Sequence, residues 1–205
     1  MTATDQRSRR LEPDARRQQI LRCAIRLFGD RPYAAVSTTE LAEEAGVTRG
    51  LIHHYFGTKR GLYLEVVRSM VMVPEYDEAH TANGRLEERV SQSVAWLLGA
   101  VLPYAKTFVA VTGAEGVGND PEIEALLAEA DDVAALRMLR ILGADHADLG
   151  DERQRAMIRA YGGLVKASIR ELVQRETLTH DEVNDLLVHS LLTIVRDVFP
   201  ELKAA

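Results

Sequence analysis

The sequence predicts an all-α fold with a small N-terminal helical domain and a larger helical body. Apolar residues recur at steps of three and four along most of its 205 residues, and no segment of useful length alternates as a strand does. Helix-start signals also recur, for example at Ser37 with Glu40, at Asp120 before Pro121, and at Thr179 with Glu182. These observations favour helices packed on helices over any sheet architecture.

The first predicted helix follows a polar segment that contains Arg7, Arg9 and Arg10. We interpret residues 1–13 as a flexible arm, whose arginines either contact a polyanion or belong to a solubilising tail. The apolar face of the helix consists of Ile20, Leu21, Ala24, Leu27 and Phe28.

The segment from Ser37 to Lys59 predicts two short helices joined by a tight turn. Ser37 and Glu40 form a capping-box pattern at the first start, and Gly46 suits the left-handed conformation that ends this helix. Thr48 offers an N-cap oxygen for the second helix. Residues 14–60 are therefore predicted to form a helix-turn-helix DNA-binding domain.

One face of the second helix is predicted to be inward and the other to meet DNA. Ile52 and Phe56 are four residues apart and face the core. Eight residues rise about 12 Å, which matches the width of the major groove of about 12 Å. An arginine near the helix start suits guanine, and a neighbouring glycine permits close approach. The residues predicted to face bases are Arg49, Gly50, Leu51 and His53.

Residues with donor groups flank this helix and are suited to phosphate oxygens, which set register without reading sequence. The predicted phosphate-contacting residues are Thr38, Thr39, His54, Tyr55 and Lys59.

The remaining sequence, residues 61–205, is predicted to be a larger helical body. Its helices are predicted from Arg60 to about Pro74, from Arg85 to about Leu102, through Phe108 and Val111, from Asp120 to about Leu142, from Asp151 to Glu176, and after Thr179.

Charge divides between the two parts of the chain. The net charge is −6, but residues 1–60 carry eleven basic and seven acidic residues, whereas residues 61–205 carry fourteen and twenty-four. A basic head on an acidic body orients the head toward a polyanion.

Other classes of function find little support in the sequence. His53 and His54 are neighbours on a helix and point about 100° apart, so we expect no metal there, and we expect no cofactor elsewhere. No constellation of nucleophile, base and stabiliser indicates an enzyme. One cysteine, Cys23, cannot form an internal disulfide, and no apolar run approaching about 20 residues is apparent. These features predict a cytoplasmic protein without a membrane partner.

The segment from about Arg16 to Val67 resembles the N-terminal domain of the TetR family of bacterial transcriptional regulators. The resemblance rests on the amphipathic first helix, the capped run TTELAEEAGV, and the following HHYFGTKRGLY in the family's order. Positions matching Arg49, Gly50, Leu51 and His53 face bases in that family, and His53 stands where tyrosine is more usual. Those matching Thr38, His54, Tyr55 and Lys59 tend to meet the DNA backbone.

The resemblance also implies a homodimer, formed by pairing of the last two helices with their copies. Dimerisation also agrees with the two-fold symmetry of operators, since two recognition helices about 34 Å apart read the two halves of a palindrome. The apolar stripes on these helices are wide enough to pack on the body and on a partner. The predicted interface residues are Tyr161, Leu164, Ser168, Leu172, Leu187, Leu191, Ile194 and Val198.

The resemblance further implies a largely apolar effector pocket in the body. Binding of a small, hydrophobic-leaning effector would shift the linking helix and lower operator affinity, which makes repression the expected outcome. A transcriptional activator of the same fold, or a helical protein-interaction module without DNA binding, remain alternatives. The predicted pocket residues are Trp96, Leu97, Leu102, Tyr104, Phe108, Val111, Met138 and Ile141, with Arg140 or His146 as polar anchors.

Overall fold

A computed structural model of the protein describes residues 13–72, 84–113, 120–144 and 151–204. These residues are almost wholly helical and contain no strand, so the predicted all-α fold is confirmed. The helices are α1 (Pro13–Asp30), α2 (Thr38–Glu44), α3 (Arg49–Phe56), α4 (Lys59–Val71), α5 (Leu86–Val101), α6 (Ala105–Thr112), α7 (Pro121–Ile141), α8 (Glu152–Val173), α9 (His180–Thr193) and α10 (Phe199–Ala204). Short 3₁₀ turns occupy Tyr33–Ala35 and Leu102–Tyr104, and a π-helical segment, Ile194–Val198, joins α9 to α10.

The N-terminal head consists of α1, α2 and α3 closed by α4. Ile20, Leu41, Ile52 and Leu62 are almost completely buried at its centre. Full burial of such side chains contributes about 1.5–3 kcal/mol each relative to exposure. The turn between α2 and α3 contains Gly46 at φ +62°, as the sequence predicted.

Two capping interactions in the head differ from those predicted. The Ser37 hydroxyl accepts a hydrogen bond from the Glu40 amide at 3.1 Å, but the Glu40 carboxylate binds the Arg31 guanidinium instead of completing a capping box. Thr48 is the N-cap residue of α3, but its side chain makes no capping bond. The Arg31–Glu40 ion pair therefore replaces the second hydrogen bond of the predicted capping box, which would run from the Ser37 amide to the Glu40 carboxylate.

The body packs α5, α7, α8 and α9 around a second apolar core. Leu98, Leu139, Ile169, Leu187 and Leu191 have no exposed surface. The predicted starts at Asp120, Asp151 and Thr179 occur as N-caps, and Thr179 with Glu182 forms a complete capping box. The predicted arm, residues 1–13, falls outside the described residues except for Pro13, which begins α1.

The head and the body meet along α1 and α6. The Thr107 hydroxyl donates to the carbonyl of Ile25 at 2.8 Å. A Cβ added at Gly29 would lie 2.3 Å from the Thr107 hydroxyl oxygen, so only glycine permits this close approach. The two helices therefore fit tightly at this junction.

A second connection joins the start of α4 to the start of α7. Arg60 donates from Nε and Nη2 to the two carboxylate oxygens of Asp120 at 3.0 and 2.9 Å, and its Nη1 lies 2.6 Å from Glu122. Asp120 also caps α7 by accepting from the amides of Glu122 and Ile123. One carboxylate thus starts a body helix and binds the head.

The expectation that no apolar run approaches membrane-spanning length is wrong on length and composition. The helical run Leu86–Thr112 comprises 27 residues, and an 18-residue window within it has a mean hydropathy of 1.6. In the structure the 3₁₀ turn at Leu102–Tyr104 divides this run, and Val90, Val94 and Leu98 pack into the core of the body. The helices are therefore used as core helices in this fold.

Candidate nucleic-acid interface and effector cavity

Helix α3 is fixed to the head by one face and leaves the opposite face in solvent. Ile52 and Phe56 are buried at 2% and 9% exposure. Arg49, Gly50 and His53 are exposed, and Leu51 is half-buried. The four residues predicted to face bases therefore include three that are open to a ligand as large as DNA. Their geometry suits insertion of α3 into a major groove.

The predicted phosphate-contacting residues lie at the start of α2, in the last turn of α3 and at the start of α4. Thr39 and His54 are exposed, whereas Thr38 and Tyr55 are half-buried. The His54 and Tyr55 rings pack edge to face with centroids 5.1 Å apart, and Tyr55 also contacts the head core. Tyr55 consequently has a structural contact in addition to its accessible surface.

Lys59 has an intramolecular role that its sequence position did not indicate. Its Nζ donates to the Tyr33 carbonyl at 2.6 Å and lies 4.1 Å from the centre of the Tyr33 ring. Partial burial lowers the pKa of Lys59 below its ordinary value. Because an ammonium group has three donors, a phosphate can still be bound alongside the carbonyl.

Polar side chains on α1 also brace the helix-turn-helix, which sequence reasoning missed. Gln19 donates to the Ala45 carbonyl at 2.9 Å and accepts from Arg16 at 3.0 Å. The Arg17 guanidinium lies 5.0 Å from the centre of the Phe56 ring. These contacts hold the start of the turn, at Ala45, and the end of α3, at Phe56, against α1. No local sequence pattern marks partners that are so distant along the chain.

Two adjoining cavities in the body, each of about 100 Å³, form the candidate effector site. Both are lined mainly by apolar side chains between α4, α5 and α7, and the second extends to α6 and α8. Both share Val71, Leu97, Ala130, Ala134 and Met138. Val71 is the last residue of α4, so the cavity wall includes the helix that links head and body.

Some of the predicted pocket residues line these cavities and others do not. Trp96, Leu97, Met138 and Ile141 line the first cavity, and Leu97, Phe108 and Met138 line the second. The others lie elsewhere: Tyr104 is 48% exposed, Arg140 is exposed, Leu102 packs beside the body core, Val111 joins the core of the head, and His146 is outside the described residues.

Polar groups at the cavities come from residues that the sequence did not single out. Arg137 lines the first cavity, and Lys166 donates to both carboxylate oxygens of Asp131 at 2.7 and 2.8 Å beside the second. The stripe Ala130, Ala134 and Met138 repeats every fourth residue and could have indicated this face of α7. Alanines attract little attention as ligand contacts because they are common in helices.

The predicted dimer face needs a correction, because half of its residues are buried within one protomer. Tyr161 and Ser168 are 4% and 2% exposed, and Leu187 and Leu191 are fully buried. The Tyr161 hydroxyl donates to the Leu187 carbonyl at 3.0 Å, which joins α8 to α9 inside the protomer. These residues have no surface left to offer a partner. The half-buried members of the predicted set are Leu164, Leu172, Ile194 and Val198.

Comparisons with known proteins agree with this geometry. Residues 20–66 match the family model described as "Bacterial regulatory proteins, tetR family". The HTH-type transcriptional regulator BetI of Rhizobium meliloti (strain 1021) is 41% identical over 61 residues, which is 30% of this chain and 30% of that protein. The match thus spans less than a third of the curated relative's length.

Solved structures extend the likeness to the whole fold. A tetR-family transcriptional regulator from Streptomyces coelicolor has a TM-score of 0.72 at 23% identity, over 95% of this chain and 87% of that one. A putative transcriptional regulator from Saccharomonospora viridis, solved in complex with choline, has a TM-score of 0.62 at 22% identity, over 91% and 98% of the two chains. Residues 20–66 of the chain thus match the TetR family of bacterial regulatory proteins, and the whole chain shares the fold of solved TetR-family regulators.

Proposed function

We propose that the protein is a cytoplasmic transcriptional repressor that binds operator DNA through α3 and associates with the nucleoid when bound. The observation that carries the proposal is the exposed face of Arg49, Gly50 and His53, presented by a helix whose other face is buried. Arg49 would bind the O6 and N7 atoms of guanine, and Gly50 would let α3 approach the base edges. The positive charge of residues 1–60 supports an encounter with DNA.

A homodimer that reads a palindromic operator follows from the same geometry. One α3 helix of eight residues spans about 12 Å and reaches few base pairs. Two copies placed about 34 Å apart would read successive turns of the duplex and multiply the selectivity. The outer surfaces of α8 and α9 are the proposed contact between copies.

A small effector in the body cavities would release the DNA. Because Val71 at the end of α4 lines both cavities, a ligand that enlarges them would displace this helix. Ligand and DNA then oppose each other if the ligand prefers the displaced state. The apolar lining favours a hydrophobic-leaning compound with one polar group near Arg137 or Asp131. Choline, bound by the Saccharomonospora viridis protein, is a reasonable first compound to test.

The decisive experiment measures affinity for a random duplex at two salt concentrations and then for an operator selected from a random library. A regulator that contacts phosphates loses affinity steeply as salt rises. A flat response would support a protein-interaction module instead. On the selected operator, Arg49→Ala should cost about 1–3 kcal/mol and relax discrimination at one base pair. A promoter reporter carrying that operator separates repression from activation.

A further inference from the structure

A polar cleft of about 480 Å³ lies between the head and the body, away from the effector cavities. Its walls come from the end of α1, from α4, from α6 and from the end of α8. None of its lining residues belongs to either effector cavity. The volume lies within the range of small-molecule sites, which is roughly 300–1,000 Å³.

Tyr63 supplies a hydroxyl donor to the wall of this cleft. Most of the residue is buried, but the hydroxyl is not among the buried unpartnered atoms of the described residues and makes no hydrogen bond to another described residue. Its ring is held by Phe28 and Tyr33, with centroids 5.0 and 4.9 Å away. Burial of the ring raises the pKa of Tyr63, so the hydroxyl keeps its proton. An accessible hydroxyl with no intramolecular partner can donate to a ligand in the cleft.

Most of the charged side chains described around the cleft form close ion pairs with one another. Arg31 is paired with Glu40, and the carboxylate of Asp30 lies 3.6 Å from the ammonium of Lys106. Arg175 and the Thr177 hydroxyl bind the two carboxylate oxygens of Glu171.

Arg170 lies on the same wall, and no carboxylate within the described ranges comes within ion-pair distance of it. Its Nη2 is 3.3 Å from the position that a Cβ on Gly113 would occupy, so the glycine leaves room beside the guanidinium. The side chain is half-buried, which strengthens its attraction for an anion relative to a fully solvated arginine.

We propose that this cleft binds a small organic anion, a carboxylate or a phosphate monoester with an apolar part. Arg170 binds the anionic group, Tyr63 donates a hydrogen bond to it, and Phe28 and Val109 contact the apolar part. The site itself goes beyond the proposed function. Its consequence for operator affinity rests on that function, because an occupant that bridges α1 and α8 holds the head in one orientation on the body.

The test titrates three probes into the full chain without DNA: benzoate, phenyl phosphate, and benzamide as a neutral counterpart of benzoate. Calorimetry and NMR should show binding of at least one anion and no comparable binding of benzamide. The relative affinities of the two anions identify the preferred anionic group. Arg170→Ala should weaken anion binding about tenfold or more. Arg140→Ala removes an exposed arginine that does not line the cleft and should leave the affinity unchanged.

Tyr63→Phe separates a binding role from a structural one. It should weaken anion binding severalfold while the Tm stays the same or rises, since the hydroxyl forms no hydrogen bond that folding would lose. Gln174 also lines the cleft, so Tyr63→Phe and Gln174→Leu carry the same comparison if Arg170→Ala does not fold. Benzamide binding as tightly as benzoate, or anion binding indifferent to these substitutions, would overturn the proposal. Because DNA is absent, failure here is distinguishable from failure of salt-dependent DNA binding.

Discussion

Gly50 is a residue that the fold does not require. It lies within α3, is exposed, and a Cβ at this position would meet only the Thr48 hydroxyl, at 3.8 Å. Nothing in the free protein therefore requires glycine here, although glycine weakens a helix by about 0.5–1 kcal/mol relative to alanine. We propose that glycine stands here because the exposed surface of α3 comes close to DNA.

Gly50→Ala should therefore stabilise the protein and weaken operator binding. We expect the free energy of unfolding to rise by about 0.5–1 kcal/mol, while the added methyl group holds α3 away from the bases. Gly99→Ala is the matched control, because Gly99 is also helical, exposed and free of close neighbours. Denaturant unfolding and DNA titration measure the two effects. Unchanged operator affinity in Gly50→Ala would argue against base contact at this position.

Lys59→Ala should reduce both stability and DNA affinity. The loss of the bond to the Tyr33 carbonyl and of the ring contact should cost about 1–2 kcal/mol of unfolding free energy. If Lys59 also binds a phosphate, the slope of log affinity against log salt should fall in magnitude by about one. Lys106→Ala, at a side chain 72% exposed, is the control for loss of one positive charge. An unchanged salt slope would leave Lys59 with the structural role alone.

At the scale of helices, α7 connects the effector cavities to the head. The helix comprises 21 residues and is thus about 31 Å long. Ala130, Ala134 and Met138 line the cavities, and Asp120 at its start binds Arg60 at the start of α4. The head is therefore joined to the cavity walls both through α4 itself and through α7.

The Arg60–Asp120 pair should make stability depend on acid pH. The hydrogen-bonded Arg60 guanidinium is the main reason that the pKa of Asp120 lies below its ordinary value of 3.8. A lowered carboxylate pKa contributes stability that is fully present above 3.8 and is lost as the pH falls through the lowered value. Asp120→Asn keeps an N-cap acceptor and loses the charge, so its Tm should fall below that of the wild type at neutral pH.

The Tm difference should shrink in acid, where the wild type also loses the ion pair. Glu129→Gln, an exposed substitution on the same helix, should show no such convergence. Thermal unfolding followed by circular dichroism, from neutral pH to below pH 3.8, tests the prediction. A difference that stayed constant in acid would assign the effect to capping instead of charge.

At the scale of the whole molecule, the outer face of α8 offers close approach to a second copy. Ala156, Ala160, Gly163 and Ala167 are exposed along this face, and Leu186 on α9 is 40% exposed. Small residues let helices approach closely, and an exposed leucine gains from burial. We propose this surface as the contact between copies in place of the buried half of the predicted interface.

Gly163→Arg should convert a dimer of twice 22.7 kDa into a monomer of 22.7 kDa. The long charged side chain would separate the paired helices, whereas within the protomer a Cβ at Gly163 meets nothing within 4 Å. Ala125→Glu, at an exposed position on α7, is the control and should remain dimeric. Sedimentation velocity measures both. A wild type that sediments only as a monomer at micromolar concentration would contradict the dimer.

The sequence by itself determined the helical class, the helix-turn-helix and the inward face of α3. These features depend on local spacing: Ile52 and Phe56 are one turn apart, and Gly46 and Thr179 mark helix boundaries whatever surrounds them. Only the tertiary structure decided which apolar stripe is internal, as Tyr161, Leu187 and Leu191 show. It also decided the partners of Lys59 and Asp120 and placed Arg170 on the wall of the cleft. Periodicity identifies an apolar face without naming its neighbour, and a contact between residues 60 and 120 depends on how distant helices pack.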